Sequence, residues 1–326
     1  MNQASANQSF LFIRNPIIIV GILICSLMTA CAPQQKSSSG LNLAGKGSSS
    51  QIVNGVEIKS IDPLAKSTVA LADLQGNQLS QFCSGTLIAK NVVVTAGHCA
   101  EYLLEVQEGY VLFGLTEKDS ISIRIAHAVI HEGYNNDSNF VYKGEKIGKN
   151  WNDLALIQME SDAPEGFVPA EILPDDALLV DLDVVTLAGY GLTSGGSLGK
   201  GAGILRKTDV LVEQTRFSDQ EFVTDEVGTG SCNGDSGGPV YLQKNGKTYV
   251  VGATSRGDFM CESFGVYTAL ARFKPWIAQV MEQFNSAPVE QPVVSKDQKV
   301  LSQLAQALID LGLGVNPANQ ELLPMN

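Results

Sequence analysis

Short apolar and β-branched runs, separated by turn residues, fill the chain from residue 52 to about residue 270, and no amphipathic helix interrupts them. The runs are TVALAD, SGTLIA, NVVVTA, YVLFG, ISIRIAHAVI, LALIQM, DVVTLAGYG, TYVVGAT and FGVYTAL. Many short strands without intervening helices are typical of all-β domains. The sequence therefore predicts an all-β domain that folds as a barrel or a sandwich.

Helical spacing of apolar residues begins after this region. Residues 272–284, RFKPWIAQVMEQF, predict one helix, and NSAPVEQPVV after it is a proline-containing linker. A second helix is predicted within SKDQKVLSQLAQALIDLGLG from the spacing of Val300, Leu301, Leu304, Leu308 and Leu311. Residues 285–326 are thus expected to form a linker and an amphipathic C-terminal helix. This helix either packs on its own domain, as we expect, or docks to a partner in the cell envelope.

The N-terminal residues have the pattern of an export signal. Arg14 precedes NPIIIVGILICSLMTA, an apolar run that is short for a membrane span and ends in small residues. The run ends in LMTAC, which is similar to the bacterial lipoprotein box, so that Cys31 would carry a lipid; the alternative is simple secretion without lipidation. Residues 1–31 are therefore predicted to direct export. Residues 32–51, rich in Ser, Gly and Gln, are predicted to form a flexible linker or propeptide.

Charge and cysteine content argue against two classes of function. The formal net charge of -12 and the pI near 4.7 argue against a nucleic-acid partner, which requires a basic surface. Outside the export segment there is no C-x-x-C motif and no Cys/His cluster at zinc spacing, so no metal is predicted. In an exported protein four cysteines can form disulfides, and three pairings are possible among Cys83, Cys99, Cys232 and Cys261.

The stretch TGSCNGDSGGPV surrounds one serine, Ser236, with glycine and short polar residues. Most such clusters are only turns, but backbone N–H groups can converge on a reacting carbonyl only where no side chain blocks the approach. A serine nucleophile also needs a base, and histidine has a suitable pKa. His98, in VVVTAGHCA, directly follows a predicted buried strand, whereas His127 and His131 are predicted to be strand or turn residues.

A histidine base in turn needs a buried acid that fixes its tautomer and stabilises its protonated form. Asp153, in WNDLALIQM, precedes an apolar strand that would carry its carboxylate to the edge of a core. An isolated acid at a strand edge is usually only solvated. Asp153 therefore becomes a candidate through its combination with His98 and Ser236.

The motifs IVNG, TAGHC, NDLAL, AGYGLT, GDSGGPV, TSRG and FGVYT occur here in the order found in the chymotrypsin/trypsin-like serine proteases. The resemblance runs from Ile52 to about Phe284. It implies two packed six-stranded antiparallel β-barrels, with the site between them and a closing helix at PWIAQV. The resemblance also implies the catalytic triad of this family: Ser236 would be the nucleophile, His98 the general base and then the general acid, and Asp153 the carboxylate that orients His98.

The resemblance implies further roles around the triad. Ser255 would hydrogen-bond the buried Asp153, and the backbone N–H groups of Gly234 and Ser236 would form the oxyanion hole. The implied disulfide bonds join Cys83 to Cys99 and Cys232 to Cys261.

The pocket that selects the substrate side chain would have Gly230 at its base and Gly257 and Gly265 on its walls. An open, uncharged pocket predicts cleavage after large apolar or aromatic side chains. Three charged residues depart from the family pattern nearby: Arg256, Asp258 and Glu262. The segment NDSNFVYKGEKIGKN before Asp153 is interpreted as a family-variable surface insertion.

The resemblance also implies activation by cleavage before Ile52, whose new ammonium group would pair with Asp235. Gln51 replaces the Arg or Lys common at this cut, so a separate activating protease is expected. We therefore expect an exported serine endopeptidase zymogen that is monomeric, acts on polypeptides and uses no cofactor. The alternative is a catalytically silent, protease-like binding lipoprotein, which the complete triad disfavours.

Overall fold

The computed structural model describes residues 52–106, 108–137, 139–174, 178–196 and 199–286. The predicted export segment, the predicted linker at residues 32–51 and the predicted C-terminal helix lie outside the described residues. None of the helices in the described ranges has both the length and the apolar character to cross a membrane.

Strands make up most of the regular structure. Their bounds are β1 Val56–Glu57, β2 Thr68–Gln75, β3 Gln78–Ala89, β4 Val92–Thr95, β5 Gly109–Phe113, β6 Ile121–Ile130, β7 Val141–Tyr142, β8 Glu145–Lys146, β9 Ala155–Met159, β10 Glu171–Ile172, β11 Val184–Gly189, β12 Arg206–Gln214, β13 Glu221–Asp225, β14 Pro239–Lys244, β15 Lys247–Gly257 and β16 Phe264–Ala269. The helices are α1 Gly97–Leu103 and α2 Lys274–Ser286, with 3-10 helices at Pro63–Lys66 and Leu270–Phe273.

The first barrel is closed by six antiparallel strands in the order β2-β3-β4-β9-β6-β5, and β5 pairs back with β2. Successive residues of a strand point to opposite faces. Val69 and Leu71 of β2, with Val111 of β5, fill the barrel interior and are completely buried. The interior is therefore a packed core rather than a channel.

The second barrel contains β12-β11-β14-β15-β16-β13, and antiparallel pairing of β12 with β13 closes it. Val185, Val212, Phe222 and Val240 are completely buried in its interior. Two short strands lie at its margin, since β1 pairs with β12 and β10 pairs in parallel with β15. Two six-stranded antiparallel barrels confirm the all-β prediction.

A third core lies between the barrels and beneath α2. Ala70 and Ala72 of β2, which alternate with the residues inside the first barrel, belong to this cluster together with Tyr190 and Val250 of the second. These strands are thus buried on both faces. That burial explains why their sequences read as uninterrupted apolar runs instead of alternating ones.

Helix α2 closes the domain, as predicted, and begins two residues later than expected because Leu270–Phe273 forms a 3-10 helix. Its buried face joins the core between the barrels. The Gln158 side chain of β9 donates to the carbonyl oxygen of Phe284 at 3.2 Å, and Trp276 Nε1 donates to Glu132 at 2.9 Å. The C-terminal end of the domain is therefore fastened to the first barrel.

Candidate active site

His98 lies in the first turn of α1, shortly after β4. Its ring Nδ1 lies 2.8 Å from Asp153 Oδ2, and its backbone N–H donates to Asp153 Oδ1 at 2.9 Å. One carboxylate therefore holds both the ring and the main chain of His98, and Nε2 is the ring nitrogen left for chemistry. The disulfide between Cys83 and Cys99, with a Cα–Cα distance of 6.2 Å, ties α1 to β3.

Asp153 is completely buried between the two barrels. It stands just before β9 of the first barrel, and two residues of the second barrel hold it. Thr268 Oγ1 donates to its backbone carbonyl at 2.8 Å, and Ser255 Oγ donates to Oδ2 at 2.6 Å. A buried carboxylate requires such partners, because burial without them strongly disfavours its charge.

Electrostatics link His98 to Asp153. Burial by itself lowers the pKa of His98, but the charge of Asp153 and their hydrogen bond outweigh burial, so this pKa lies above the ordinary 6.5. Burial raises the pKa of Asp153, yet His98 and the hydrogen bonds from His98 and Ser255 lower it below its ordinary value. Asp153 is therefore ionised at neutral pH and stabilises the protonated form of His98.

Ser236 lies partly exposed in the loop between β13 and β14. Its carbonyl oxygen accepts the N–H of Ser84 at 2.8 Å. The Cys99 sulfur lies 3.6 Å from this carbonyl oxygen and 3.6 Å from His98 Nε2. The loop of the second barrel is thereby held beside His98. Within the described ranges no hydrogen bond joins the Ser236 hydroxyl to the His98 ring.

Two glycines around Ser236 are required by the backbone. Gly234 has φ +93° and Gly237 has φ +75°, conformations that side chains other than glycine rarely adopt. A Cβ on Gly237 would collide with Thr95 Oγ1, and one on Gly234 would lie 3.0 Å from Gly191 Cα. The glycine-rich motif thus packs the Ser236 loop closely against both barrels.

The backbone at Gly234 is fixed by side chains of the first barrel. Its carbonyl oxygen accepts Gln81 Nε2 and Ser84 Oγ, both at 2.9 Å, and Ser84 Oγ in turn accepts the N–H of Tyr190 at 3.1 Å. In the described part of the chain, the N–H groups of Gly234 and Ser236 donate to no protein acceptor. Sequence analysis missed Gln81 and Ser84, because packing of the two barrels brings them to this loop.

Asp235 is buried under the same loop. Its carboxylate accepts the backbone N–H groups of Cys232 at 2.9 Å and Gly191 at 2.8 Å, and burial raises its pKa to about 7. Ile52 is also buried, and the residue after it forms a β-bridge with Gly230. The start of the domain therefore lies against the loop that leads to Ser236.

The predicted pocket residues lie together around a carboxylate. A Cβ on either Gly230 or Gly265 would collide with the carboxylate of Glu226, and a Cβ on Gly257 would lie 3.7 Å from Gly265 Cα. The second disulfide, between Cys232 and Cys261, has a Cα–Cα distance of 5.3 Å.

Glu226 places a buried carboxylate among the residues that sequence analysis assigned to an uncharged pocket. Its Oε1 accepts the hydroxyl groups of Tyr267 and Thr224, the latter at 2.8 Å, and its Oε2 accepts the N–H of Ser231 at 2.8 Å. Burial raises its pKa to about 7. Sequence reasoning missed Glu226 because it follows β13, four residues before Gly230 and outside the glycine-rich motif. The only signal in the sequence was an acid shortly before that motif, because the strand that Glu226 follows, β13, was not predicted.

The other charged residues near the pocket have different roles. Asp258 accepts the N–H and the hydroxyl of Ser263, both at 2.8 Å, and so closes its own loop. Burial raises the pKa of Asp258, but these bonds outweigh burial and lower it. Glu262 is exposed, and Arg256 is buried against Glu221.

The two other histidines lie outside the site. His127 belongs to β6, and His131 follows that strand, as predicted. The His131 ring packs on Phe273 and Trp276, with ring centres 5.1 and 5.0 Å away. Burial lowers the pKa of His131. Neither histidine is placed to serve Ser236.

One group of side chains in the described ranges has metal-ligating atoms close together: Cys83, His98 and Cys99. Both sulfur atoms belong to the disulfide bond. A disulfide sulfur is not the thiolate that binds metals, so this group does not make a metal centre.

The similarity of this chain to known proteins covers the two barrels. The family described as Trypsin matches residues 56–277. The chain is 33% identical to brachyurin of Leptuca pugilator over 211 residues, which cover 60% of this chain and 86% of brachyurin. It is 26% identical to granzyme E of Mus musculus over 245 residues, or 71% and 92% of the two chains. Serine proteinase stubble of Drosophila melanogaster is 30% identical over 227 residues, which are 60% of this chain but 27% of stubble.

Proposed function

The chain belongs to the trypsin family of serine endopeptidases, and we propose that it cleaves polypeptides through an acyl-enzyme formed on Ser236. The observation that carries the proposal is the buried carboxylate of Asp153, which holds the ring and the main chain of His98 at 2.8 and 2.9 Å. Such a carboxylate fixes the tautomer that leaves Nε2 able to accept a proton.

In the proposed reaction, His98 Nε2 accepts the hydroxyl proton as Ser236 Oγ attacks the carbonyl carbon of the scissile peptide. Asp153 stabilises the resulting imidazolium. His98 then donates the proton to the leaving amine, and the C–N bond breaks. In the second half, a water molecule gives a proton to His98 and attacks the ester; the acid product leaves, and the proton returns to Ser236.

The negative oxygen of each tetrahedral intermediate is bound by the N–H groups of Gly234 and Ser236. Support comes from their lack of other acceptors in the described residues and from the two hydrogen bonds that fix the Gly234 carbonyl. Each such donor contributes about 3 to 4 kcal/mol of transition-state stabilisation.

Activation forms a second part of the proposal. Cleavage before Ile52 creates an ammonium group that pairs with Asp235 and orders the oxyanion hole. The burial of both residues and the raised pKa of Asp235 support this pairing, since a nearby cation would restore the charged form. Because Gln51 precedes the cut, a separate protease performs it.

The substrate side chain is selected by Glu226. Its carboxylate at the base of the pocket favours Arg or Lys over the large apolar side chains expected from an uncharged pocket. A cationic side chain lowers the pKa of a buried acid, whereas an apolar side chain leaves its desolvation uncompensated. The charge of Glu226 thus replaces the charge missing at Gly230.

Export and lipid attachment at Cys31 belong to the proposal on sequence grounds. The two disulfides agree with an oxidising compartment. With lipid on Cys31, the cut before Ile52 separates the catalytic domain from its anchor, so activation and release are one event. Cell fractionation tests this: active protein should be soluble and begin at Ile52, and anchored active protein would contradict it.

The proposed activity is tested on the chain cleaved before Ile52. We expect a serine-directed phosphonylating inhibitor to label Ser236 and to abolish cleavage of a peptide library. Mass spectrometry locates the label, and sequencing of the products shows the bonds that are cut. Tight binding of peptides without label and without hydrolysis would favour the silent binding protein instead.

A further inference from the structure

Arg256 is a charged residue whose side chain is buried behind the candidate site. It follows Ser255 on β15, at a register shift in the pairing of β15 with β16. Its guanidinium carbon lies 4.3 Å from the centre of the Trp151 ring, and Nη1 lies 2.8 Å from Glu221 Oε1. The side chains of Arg256 and Glu221 are 8% and 1% exposed. A buried ion pair therefore adjoins the residue that holds Asp153.

Glu221 is well supplied with hydrogen bonds in addition to Arg256. Its Oε2 accepts the N–H of Asn150 at 2.9 Å and the hydroxyl of Ser218 at 2.7 Å, and its Oε1 accepts the N–H of Trp151 at 3.2 Å. Burial raises the pKa of Glu221, but the charge of Arg256 and these bonds outweigh burial and lower it. Glu221 is thus ionised and holds the guanidinium in one place.

Arg256 reaches the candidate triad through the hydroxyl of Ser255. Its Nη1 donates to Ser255 Oγ at 3.0 Å, and Ser255 Oγ lies 2.6 Å from Asp153 Oδ2. A guanidinium group has donors only, so Ser255 Oγ must accept from it. The single proton of the hydroxyl is then left for Asp153, which as a carboxylate can only accept.

We propose that Arg256, held by Glu221, is a positioning residue for peptide hydrolysis: it commits the Ser255 hydroxyl to Asp153 and so orients the carboxylate that holds His98. This inference rests on the proposed function of the site. It adds to the triad a buried ion pair on the far side of Ser255.

The same guanidinium acts on His98 electrostatically. Asp153 and Glu101 raise the pKa of His98, whereas Arg256 lowers it. Tyr134, which donates to Glu101 at 3.3 Å, is neutral because burial raises its pKa further above its ordinary value. Loss of the positive charge therefore leaves His98 protonated to a higher pH.

Arg256 also holds the segment of residues 136–150, which precedes Asp153. A test must separate this structural role from the action of Arg256 on Ser255. Its Nε and Nη2 donate to the carbonyls of Ile147 and Gly148 at 2.6 and 3.1 Å. Lys143, in the same segment, pairs with Glu213 at 2.7 Å and lies away from Ser255 in the sequence and in its contacts. Lys143→Ala is therefore a matched variant that weakens the attachment of the insertion and leaves the Ser255 hydrogen bonds in place.

The experiment measures kcat and KM of the cleaved enzyme on a short peptide amide from pH 5 to 9. Arg256→Met should lower kcat by about 10-fold to 100-fold, leave KM within about twofold and move the acid limb of the profile to higher pH. Arg256→Lys keeps the charge and should keep the acid limb, with a smaller loss of kcat. In a Ser255→Ala background, Arg256→Met should lower kcat much less, because the two act through one hydroxyl.

Unchanged kcat and an unmoved acid limb in Arg256→Met would overturn the inference, as would an equal loss in Lys143→Ala. If Arg256→Met does not fold, Arg256→Met with Glu221→Met removes both charges and is often tolerated; wild-type kcat in that protein would also overturn it. A wild-type enzyme that neither hydrolyses peptides nor labels at Ser236 would instead overturn the proposed function.

Discussion

The two halves of the site hold their buried carboxylates in opposite electrostatic situations. Asp153, just before β9 of the first barrel, accepts from His98 and Ser255, and its pKa is lowered. Asp235 and Glu226, in the second barrel, accept from backbone N–H groups and neutral hydroxyls, and burial raises the pKa of each to about 7. In the first half His98 lowers the pKa of the carboxylate despite its burial, whereas in the second half burial outweighs the hydrogen bonds and, for Asp235, the charge of Arg206.

This difference separates the catalytic pair, His98 and Asp153, from the carboxylates proposed to act in activation and in substrate selection. In the proposed mechanism, the base His98 and its acid Asp153 are already assembled before cleavage, because each offsets the cost of burying the other. In the second barrel, the charge of Arg206 lowers the pKa of Asp235, but burial raises this pKa by more, so that it stays at about 7. In the proposed mechanism the further cations appear only later: cleavage creates the ammonium of Ile52 for Asp235, and the substrate supplies the cationic side chain for Glu226.

The largest expected effect is that of Ser236→Ala in the cleaved enzyme. We expect the rate of peptide hydrolysis to fall by more than about 10⁴-fold, because the residues of a triad act as a unit. The unfolding free energy should change little, since the hydroxyl is partly exposed and fills no core. Steady-state kinetics and urea unfolding measure the two quantities, and near wild-type hydrolysis by a folded Ser236→Ala protein would remove Ser236 from the mechanism.

The next largest effect is expected for Asp235→Asn in the cleaved chain. Loss of one partner of a buried ion pair costs about 3 to 5 kcal/mol, which corresponds to at least about 100-fold in kcat/KM if the active conformation depends on it. Asp225→Asn is the matched control, because that carboxylate is exposed ten residues earlier. Full activity of Asp235→Asn, measured with the same peptide amide, would show that Ile52 needs no partner there.

A smaller effect is expected for Glu226→Gln, which keeps the shape of the side chain and removes its charge. The ratio of kcat/KM for substrates with Arg to those with Phe at the cleaved bond should fall about tenfold or more. Glu262→Gln, an exposed acid of the pocket loop, should leave the ratio unchanged. If the wild-type enzyme prefers Phe and Glu226→Gln does not change this preference, the result would support the uncharged pocket expected from Gly230.

The last expected effect concerns stability and not activity: it is a pH dependence of the unfolding free energy in the uncleaved chain. An acid whose pKa is raised on folding binds more protons in the folded state, so the unfolding free energy falls as pH rises from about 4 to about 7, by at most about 1.4 kcal/mol per pH unit and group. Urea unfolding of Ser236→Ala protein at several pH values measures this slope. Adding Asp235→Asn and Glu226→Gln should flatten it, and an unchanged slope would contradict the comparison of the two halves.

The prediction from sequence succeeded where structure follows from local spacing. NVVVTA and LALIQM became strands β4 and β9, and the apolar pattern of RFKPWIAQVMEQF became α2. Strands β12 and β13 were not among the predicted runs. Their sequences, RKTDVLVEQ and EFVTD, mix charged and apolar residues, and pairing within the closed barrel buries charges such as Arg206 that the pattern alone would place in solvent.

The sequence by itself determined the chemical groups of this protein and their order: a serine among glycines, a histidine after a buried strand, and an acid before another. Only the tertiary structure decided which charges meet them. Glu226 reaches Gly265, and Arg256 reaches Glu221, although the members of each pair are far apart in the sequence, and both contacts depend on how the second barrel closes. Spacing along a chain specifies the faces of a strand, whereas the partner of a buried charge depends on the register between strands.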